Sequence, residues 1–371
     1  MNSSDYSAGR LKALRTRLGE LKLDAFLTLD SAQMRWLSDW TEVFDDEQAH
    51  LALITAKKSY LHTDGRYGEA LKTKDTLGRW AISTKQGGHF AFAAATLARL
   101  NKKDLRLGFE STIRLNQYRA LKKAFSATGI KLVETKGMLA ELRAIKDTSE
   151  IQLIRKAQSI TDAAFADALT WIQPGMTELE IANRLEFVMR NKGAQALAFS
   201  SIVASGPHAA LPHARPTKRR LKKGDFLILD FGASYLDYAS DMTRTLVIGK
   251  ATAKQHRLYE AVLAAQAAAK DGIKAGITGK QAYDLANDVF KREGLDEAFT
   301  HSLGHGAGIA VHESPTLSPQ SAQPLVANMV VTVEPGVYFP GYGGVRIEDM
   351  GQVTETGFSC FTKSPRTLIE L

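Results

Sequence analysis

Asp230 and Asp241 stand eleven residues apart in LILDFGASYLDYASDMTRT, and Glu334 and Glu348 fourteen apart in VEPGVYFPGYGGVRIEDM. His305 lies between the two pairs in HSLGHGAGIAVHE. Four carboxylates and one imidazole suit two divalent metal ions held close together, because carboxylates crowded into one site repel unless a cation lies between them. The set is oxygen-rich and thiol-free, which points to a harder metal such as manganese, with cobalt or zinc also compatible.

The spacings imply how such ligands would be positioned. Asp230 lies in an apolar run, Phe226 to Phe231, and Asp241 precedes another, Thr245 to Ile248. If these runs form a hairpin turning between Tyr235 and Leu236, the two Asp face each other. Directly opposed residues on one sheet face have Cβ atoms about 4.5–5.5 Å apart. Glu334 and Glu348 are likewise equidistant from Gly341, with Met329–Val333 and Val345–Ile347 as the expected strands. A lone Asp at a strand end is ordinarily a turn residue, and a lone Glu-Pro-Gly is ordinarily a turn. Turn chemistry does not account for five such residues in order on strand-like runs.

With those residues in view, the sequence resembles the pita-bread metallopeptidases, and within them the proline-specific branch of aminopeptidase P and prolidase. The resemblance rests on SIVASGPHAALPHARP, GDFLILDFGASYLDYASDMTRT, HSLGHGAGIAVHESP, VVTVEPGVY and GGVRIEDM, and it extends over essentially the whole chain. It implies Asp230, Asp241, His305, Glu334 and Glu348 as metal ligands, and His213, His312 and Arg346 as surrounding catalytic and substrate-binding residues. It also implies two divalent ions per chain, a homodimer and a proline-containing di- or oligopeptide substrate. Every ligand position carries the expected residue.

Two ions about 3.5–4 Å apart can lower the pKa of a water towards neutrality and polarise a carbonyl. Glu334 is the candidate proton shuttle, since a carboxylate beside the attacking water is within reach. His213 and His312 could hydrogen-bond an oxyanion or the substrate. Six of the nine histidines lie between 208 and 312, a crowding that favours a site there, with His208 and His301 left without a role. Arg346, two residues before Glu348, shares its strand face and could grip a ligand or substrate carboxylate bidentately. Tyr338 and Phe339 are candidate contacts for a proline ring. The GHGAG run lacks the Gly-Lys-Ser/Thr ending of a phosphate loop, and its small residues instead allow close backbone approach.

The elements that must carry these residues follow from the patterning. Strand-like runs at Ala25–Leu29, Leu51–Thr55, Tyr60–His62, Ala81–Ser83, Leu105–Phe109 and Leu132–Glu134 alternate with helical patterns at about 65–73, 90–101 and 113–126. The alternation argues an α/β N-terminal domain, residues 1–135, with a largely parallel sheet. Trp36 and Trp40 fall in an expected loop. A linker is expected at 136–147. Asp147 then reads as an N-cap completed by Glu150, a second helix starts near Thr177, and two more cover about 252–274 and 279–293. Residues 148–371 are therefore expected to form an α+β catalytic domain, and the resemblance implies the pita-bread fold for it.

The 371 residues, 44% hydrophobic and 24% charged, are ordinary for a soluble globular chain. A single cysteine, Cys360, excludes an intramolecular disulfide and fits a reducing compartment. The N-terminus has no apolar core of a secretory signal, and no stretch approaches the roughly 18 apolar residues of a membrane span. The expectation is a cytoplasmic enzyme with no membrane partner. A net charge of +8 raises nucleic acid as a partner. However, the densest basic run, Lys218 to Lys223, carries no nucleic-acid motif and reads as a solvated loop. The function expected is metal-dependent hydrolysis of Xaa–Pro bonds, by a dipeptidase or an aminopeptidase. The rivals are a metal-free hydrolase like creatinase and a non-catalytic binding protein on the same scaffold.

Overall fold

A computed structural model describes residues 6–45 and 47–371. The chain divides into two compact units, Met1–Arg143 and Ala144–Leu371.

The first unit is built on a six-stranded sheet in the order Trp80–Ser83, Ser59–Thr63, His50–Thr55, Ala25–Thr28, Arg106–Glu110, Lys131–Thr135. Three of its pairings are parallel, but His50–Thr55 runs antiparallel to both neighbours. The sheet is therefore mixed rather than largely parallel. The three residues between Thr55 and Ser59 can close a hairpin, whereas a parallel crossover needs a dozen or more. The helices His89–Ala98 and Leu115–Phe125 bury Ala93, Leu97, Leu121 and Phe125 against Leu27, Leu53 and Leu107 of the sheet.

The expected loop around Trp36 is instead the helix Ser31–Ser38, capped by Asp30, whose carboxylate accepts from Gln33 N at 2.8 Å. Trp36 and Trp40 are buried and line no cavity near the carboxylates. Most of the stretch expected as a linker is the helix Met138–Ala144.

In the second unit, two helix pairs back two sets of strands. The pair Thr148–Ala168 and Glu178–Asn191 packs Phe165, Ile181 and Leu185 onto Leu227, Leu229, Phe231, Met242 and Leu246. The pair Ala253–Gly272 and Gly279–Glu293 packs Val262, Ala282 and Phe290 onto Val331, Val333, Val345 and Ile347. Each of these four helices opens with a capping box, at Asp147, Thr177, Thr252 and Thr278; such a cap is worth about 1 kcal/mol. This is the pita-bread arrangement, and it leaves one strand face free on each set. Along Phe226–Phe231, Leu227, Leu229 and Phe231 meet the helices, so Asp230 points the other way.

Among the described residues no helix is long and apolar enough to cross a membrane. Cys360 is half-buried, with Lys270 Nζ 3.5 Å from its sulfur, and burial pushes the thiol up. In the basic loop, Arg219 is paired with Asp225 at 2.6 Å, while Lys218, Arg220, Lys222 and Lys223 are exposed.

Candidate metal centre

The Asp hairpin forms, with its register displaced from expectation. Asp230 pairs with Thr243, not Asp241. The turn is centred between Leu236 and Asp237, both at positive φ (47° and 69°), the signature of the two-residue turn that matches strand twist. A leucine in the left-handed region is uncommon, which is why the sequence pointed one residue too early. Asp241 is consequently the diagonal neighbour of Asp230 on the same face, still within reach.

The Glu pair keeps the expected register. Both flanking ladders, Val333 with Asp349 and Gly336 with Arg346, are centred on Gly341, which turns at φ +77°. Val330–Val333 forms as expected and pairs with Asp349–Val353, and nearer the turn the hairpin continues through Gly336–Phe339 and Gly343–Arg346. Pro335 has no N–H to give a ladder, so the pairing opens at Glu334 and Glu348. Their own N–H groups turn to Leu303 O (2.8 Å) and Thr243 O (3.1 Å), which joins the Glu hairpin to the chain just before His305 and to the strand Met242–Val247 that follows Asp241. His305 sits between glycines for a steric reason. A Cβ on Gly304 would lie 2.1 Å from Thr332 O, and one on Gly306 2.2 Å from Ser314 O.

These elements place Asp230, Asp241, His305, Glu334, Glu348, His213, His312 and Arg346 around one cavity of about 230 Å³. Asp241, His305 and Glu348 each offer a ligand atom, all within 4.8 Å of one another. His305 Nδ1 donates to Gly306 O at 3.1 Å, leaving Nε2 facing Glu334 (3.3 Å) and Asp241 (3.6 Å). A second hydrogen bond that fixes the ring in this way is the usual support of a metal-binding histidine. Thr332 Oγ1 bridges the His305 N–H (3.0 Å) and the Glu334 carboxylate (3.1 Å).

Arg346 engages four of its five N–H groups. It donates through Nη2 to Asp230 (2.6 Å), Nε to Thr243 Oγ1 (3.1 Å), and Nη1 to Tyr338 Oη (2.7 Å) and Pro212 O (3.3 Å). It therefore orients a ligand carboxylate, by one nitrogen rather than two, and keeps one Nη2–H beyond these four bonds. Because Tyr338 Oη accepts from Arg346, its single proton goes to His301 Nε2, 2.9 Å away. Tyr338 and Phe339, expected beside a proline ring, do not line the cavity. Its apolar wall is Phe199, Ile202 and Pro212. Phe199 and Ile202 were not legible, nor was Thr243, which donates to Glu348 Oε2 at 2.7 Å. His301 also lines the cavity, whereas His208 does not.

The residues present fit divalent cations. Asp230 Oδ1 and Glu348 Oε1 are buried with no hydrogen-bond partner, a costly state for a carboxylate oxygen unless something positive is supplied. Burial, followed by the neighbouring carboxylates, pushes Asp241 and Glu348 well above the ordinary carboxylate range. Burial also raises Asp230, against Arg346. Burial would raise Glu334 too, but His305, His301 and Arg346 outweigh it and pull it down to about 2. His305 is held up by Glu334 against its burial. Without ions the cluster thus neutralises itself with protons, and cations would take their place.

A stability prediction follows. Asp230, Asp241, Glu348 and His305 bind protons more tightly folded than unfolded, so their contribution to the metal-free fold is lost as pH rises from about 4 towards neutrality. Glu334 acts in the opposite sense, and so do His50, His89, His301 and His312, which burial holds below their ordinary pKa, so the cluster's share is the part of the pH slope that Asp241→Asn removes. Denaturant unfolding of chelated protein across that range measures the slope, and saturating manganese should flatten it. A slope that Asp241→Asn leaves unchanged would contradict the assignment.

A larger cavity, about 460 Å³, lies in the first unit, but its carboxylates are already engaged. Asp30 caps a helix, Asp45 accepts from Tyr67, and Glu110 accepts from Leu139 N at 3.3 Å. The unsatisfied oxygens and strong pKa displacements lie in the smaller cavity, which is the better functional candidate.

Residues 152–355 match Metallopeptidase family M24, and residues 10–145 match the Creatinase/Prolidase N-terminal domain. The chain is 40% identical to the Xaa-Pro dipeptidase of Pyrococcus furiosus over 71% of its length and 75% of that protein. The solved structure of an Xaa-Pro dipeptidase from Bacillus anthracis is 39% identical, with a TM-score of 0.91, over 98% of this chain and 100% of that one. That of an X-Pro aminopeptidase from Thermotoga maritima is 33% identical, with a TM-score of 0.88, over 97% and 99%.

Proposed function

The chain belongs to metallopeptidase family M24, and from that premise we propose that it hydrolyses Xaa–Pro peptide bonds at a centre of two divalent ions. The observation that carries this is the convergence of Asp230, Asp241, His305, Glu334 and Glu348 on one cavity, with two carboxylate oxygens left without partners. Two bound ions would supply Lewis acidity, polarising the scissile carbonyl and making water a better nucleophile. Manganese suits the four carboxylates and single imidazole, with cobalt and zinc as competitors.

The remaining chemistry belongs to the side chains. Glu334 accepts a proton from the attacking water and passes it to the proline nitrogen as that nitrogen leaves. His312, its ring 4.3 Å from that of His305, is kept below its ordinary pKa by burial and then by His305. As a neutral imidazole it donates one hydrogen bond to the oxyanion or substrate. His213 approaches from the loop on the other side. An Xaa–Pro bond has no N–H to grip, so selection must come from shape, and Phe199, Ile202 and Pro212 offer an apolar seat for the pyrrolidine ring. The enzyme is placed in the cytoplasm, as its single cysteine suits, and as a homodimer by resemblance.

Initial rates on Ala-Pro, Ala-Pro-Ala and Ala-Ala with manganese-loaded protein test this directly. At least one of the proline peptides should be cleaved about tenfold or more faster than Ala-Ala, the discrimination a fitted apolar pocket provides. Faster cleavage of Ala-Ala would overturn the proposal. The ratio of the first two rates separates dipeptidase from aminopeptidase.

A further inference from the structure

We propose that Glu178, remote from the metal ligands in sequence, is the positioning residue that delivers His213 to the cavity. The proposal rests on the function above, in which His213 acts on the substrate. Glu178 is the first residue of the helix Glu178–Asn191 and is wholly buried. Its carboxylate is saturated by donors from both ends of one loop. Oε1 accepts from Ser205 N and Ser205 Oγ, each at 2.8 Å. Oε2 accepts from Thr217 N (3.0 Å) and Thr217 Oγ1 (2.6 Å), and His208 Nδ1 donates to it at 2.9 Å.

Between Ser205 and Thr217 the chain carries Pro212, His213 and Ala214. Among the described residues no hydrogen bond holds the His213 ring, yet the ring lines the cavity. Its placement is therefore set by the backbone of the loop, and Glu178 closes that loop across its base. The helix backbone adds to the closure, with Leu179 N donating to Thr217 O at 3.0 Å and Glu178 N to Arg219 O at 3.1 Å. The same loop gives Pro212 O to Arg346. His208 thereby has a place, as a donor to the anchor rather than a group of the site. Only an ionised carboxylate can accept from all these donors. A glutamine would set its own N–H₂ against a backbone N–H that cannot turn away.

Glu178→Gln should lower kcat/KM on Ala-Pro by about ten- to a hundredfold, the usual result of misplacing a catalytic group by an ångström. Metal content per chain should stay unchanged. In a His213→Ala background the same substitution should add less than about twofold, since the group it positions is already gone. Losses that multiply in the double variant would overturn the proposal. A second readout needs no turnover: the imidazole NMR resonances of His213, identified by their loss in His213→Ala, should move in Glu178→Gln while those of His305 stay. Unmoved His213 resonances would also overturn it. If the unsubstituted protein cleaves no Xaa–Pro peptide, the function above fails and the resonances still decide the role of Glu178. Should Glu178→Gln not fold, Thr217→Val removes the 2.6 Å hydroxyl bond to Glu178, together with the acceptor of Arg219 N at 3.1 Å, and supports the same comparison at smaller amplitude.

Discussion

Glu334→Gln should reduce kcat on a proline dipeptide by at least about a thousandfold, whereas His312→Ala should leave more activity. The carboxylate is half-buried, 3.3 Å from His305 Nε2 and 3.1 Å from Thr332 Oγ1, so the isosteric amide fits without repacking. The amide removes a negative charge from the ligand set and a base from beside the attacking water. Loss of a general base alone is worth about 10²–10⁴, and the weakened ion binding adds to it. His312 makes no ligand contribution in this scheme, and a single oxyanion donor is worth about 10²–10³. Steady-state kinetics must be read beside elemental analysis of each variant. A Glu334→Gln protein that keeps both ions and turns over near normally would remove Glu334 from its role.

Why the Glu hairpin was legible and the Asp hairpin only nearly so comes down to turn chemistry. Gly341 is a residue that readily takes positive φ, so a fold-back centred on it could be read directly. The Asp turn uses Leu236 in that region, against its intrinsic preference, and no local signal announces it. The elements around the turn decide the register there, a tertiary effect invisible to spacing. Ser31–Ser38 was missed because its apolar Met34, Trp36 and Leu37 lie among polar residues that also suit a loop. The ligands themselves were legible because carboxylates on apolar strands conflict with burial, and such a conflict marks function. Thr243, Thr332 and Glu178 were not, because hydrogen-bonding partners of this kind are common residues whose importance lies only in what they touch.

Removal of divalent ions should abolish turnover and also soften the fold of the second unit. Manganese or cobalt should restore both. Asp230 Oδ1 and Glu348 Oε1 are buried with no partner, and Asp241 and Glu348 are driven up in pKa by burial and by neighbouring carboxylates. Those are the marks of a site organised around positive charge that its own side chains do not supply. The Arg346 guanidinium meets only Asp230 among the proposed ligands. An ion present at a thousandfold its Kd stabilises a fold by about 4 kcal/mol. At about 2–4 °C per kcal/mol for a domain of this size, two ions should raise the melting temperature by roughly 15–30 °C. Elemental analysis should find two ions per chain, and melting curves with and without chelator should show the shift. Asp241→Asn, which removes one of the most strongly perturbed carboxylates, should cut both the ion content and the melting shift. Full turnover in a rigorously metal-free preparation would overturn the two-ion centre, and an unchanged melting curve on chelation would show that the carboxylates do not depend on cations.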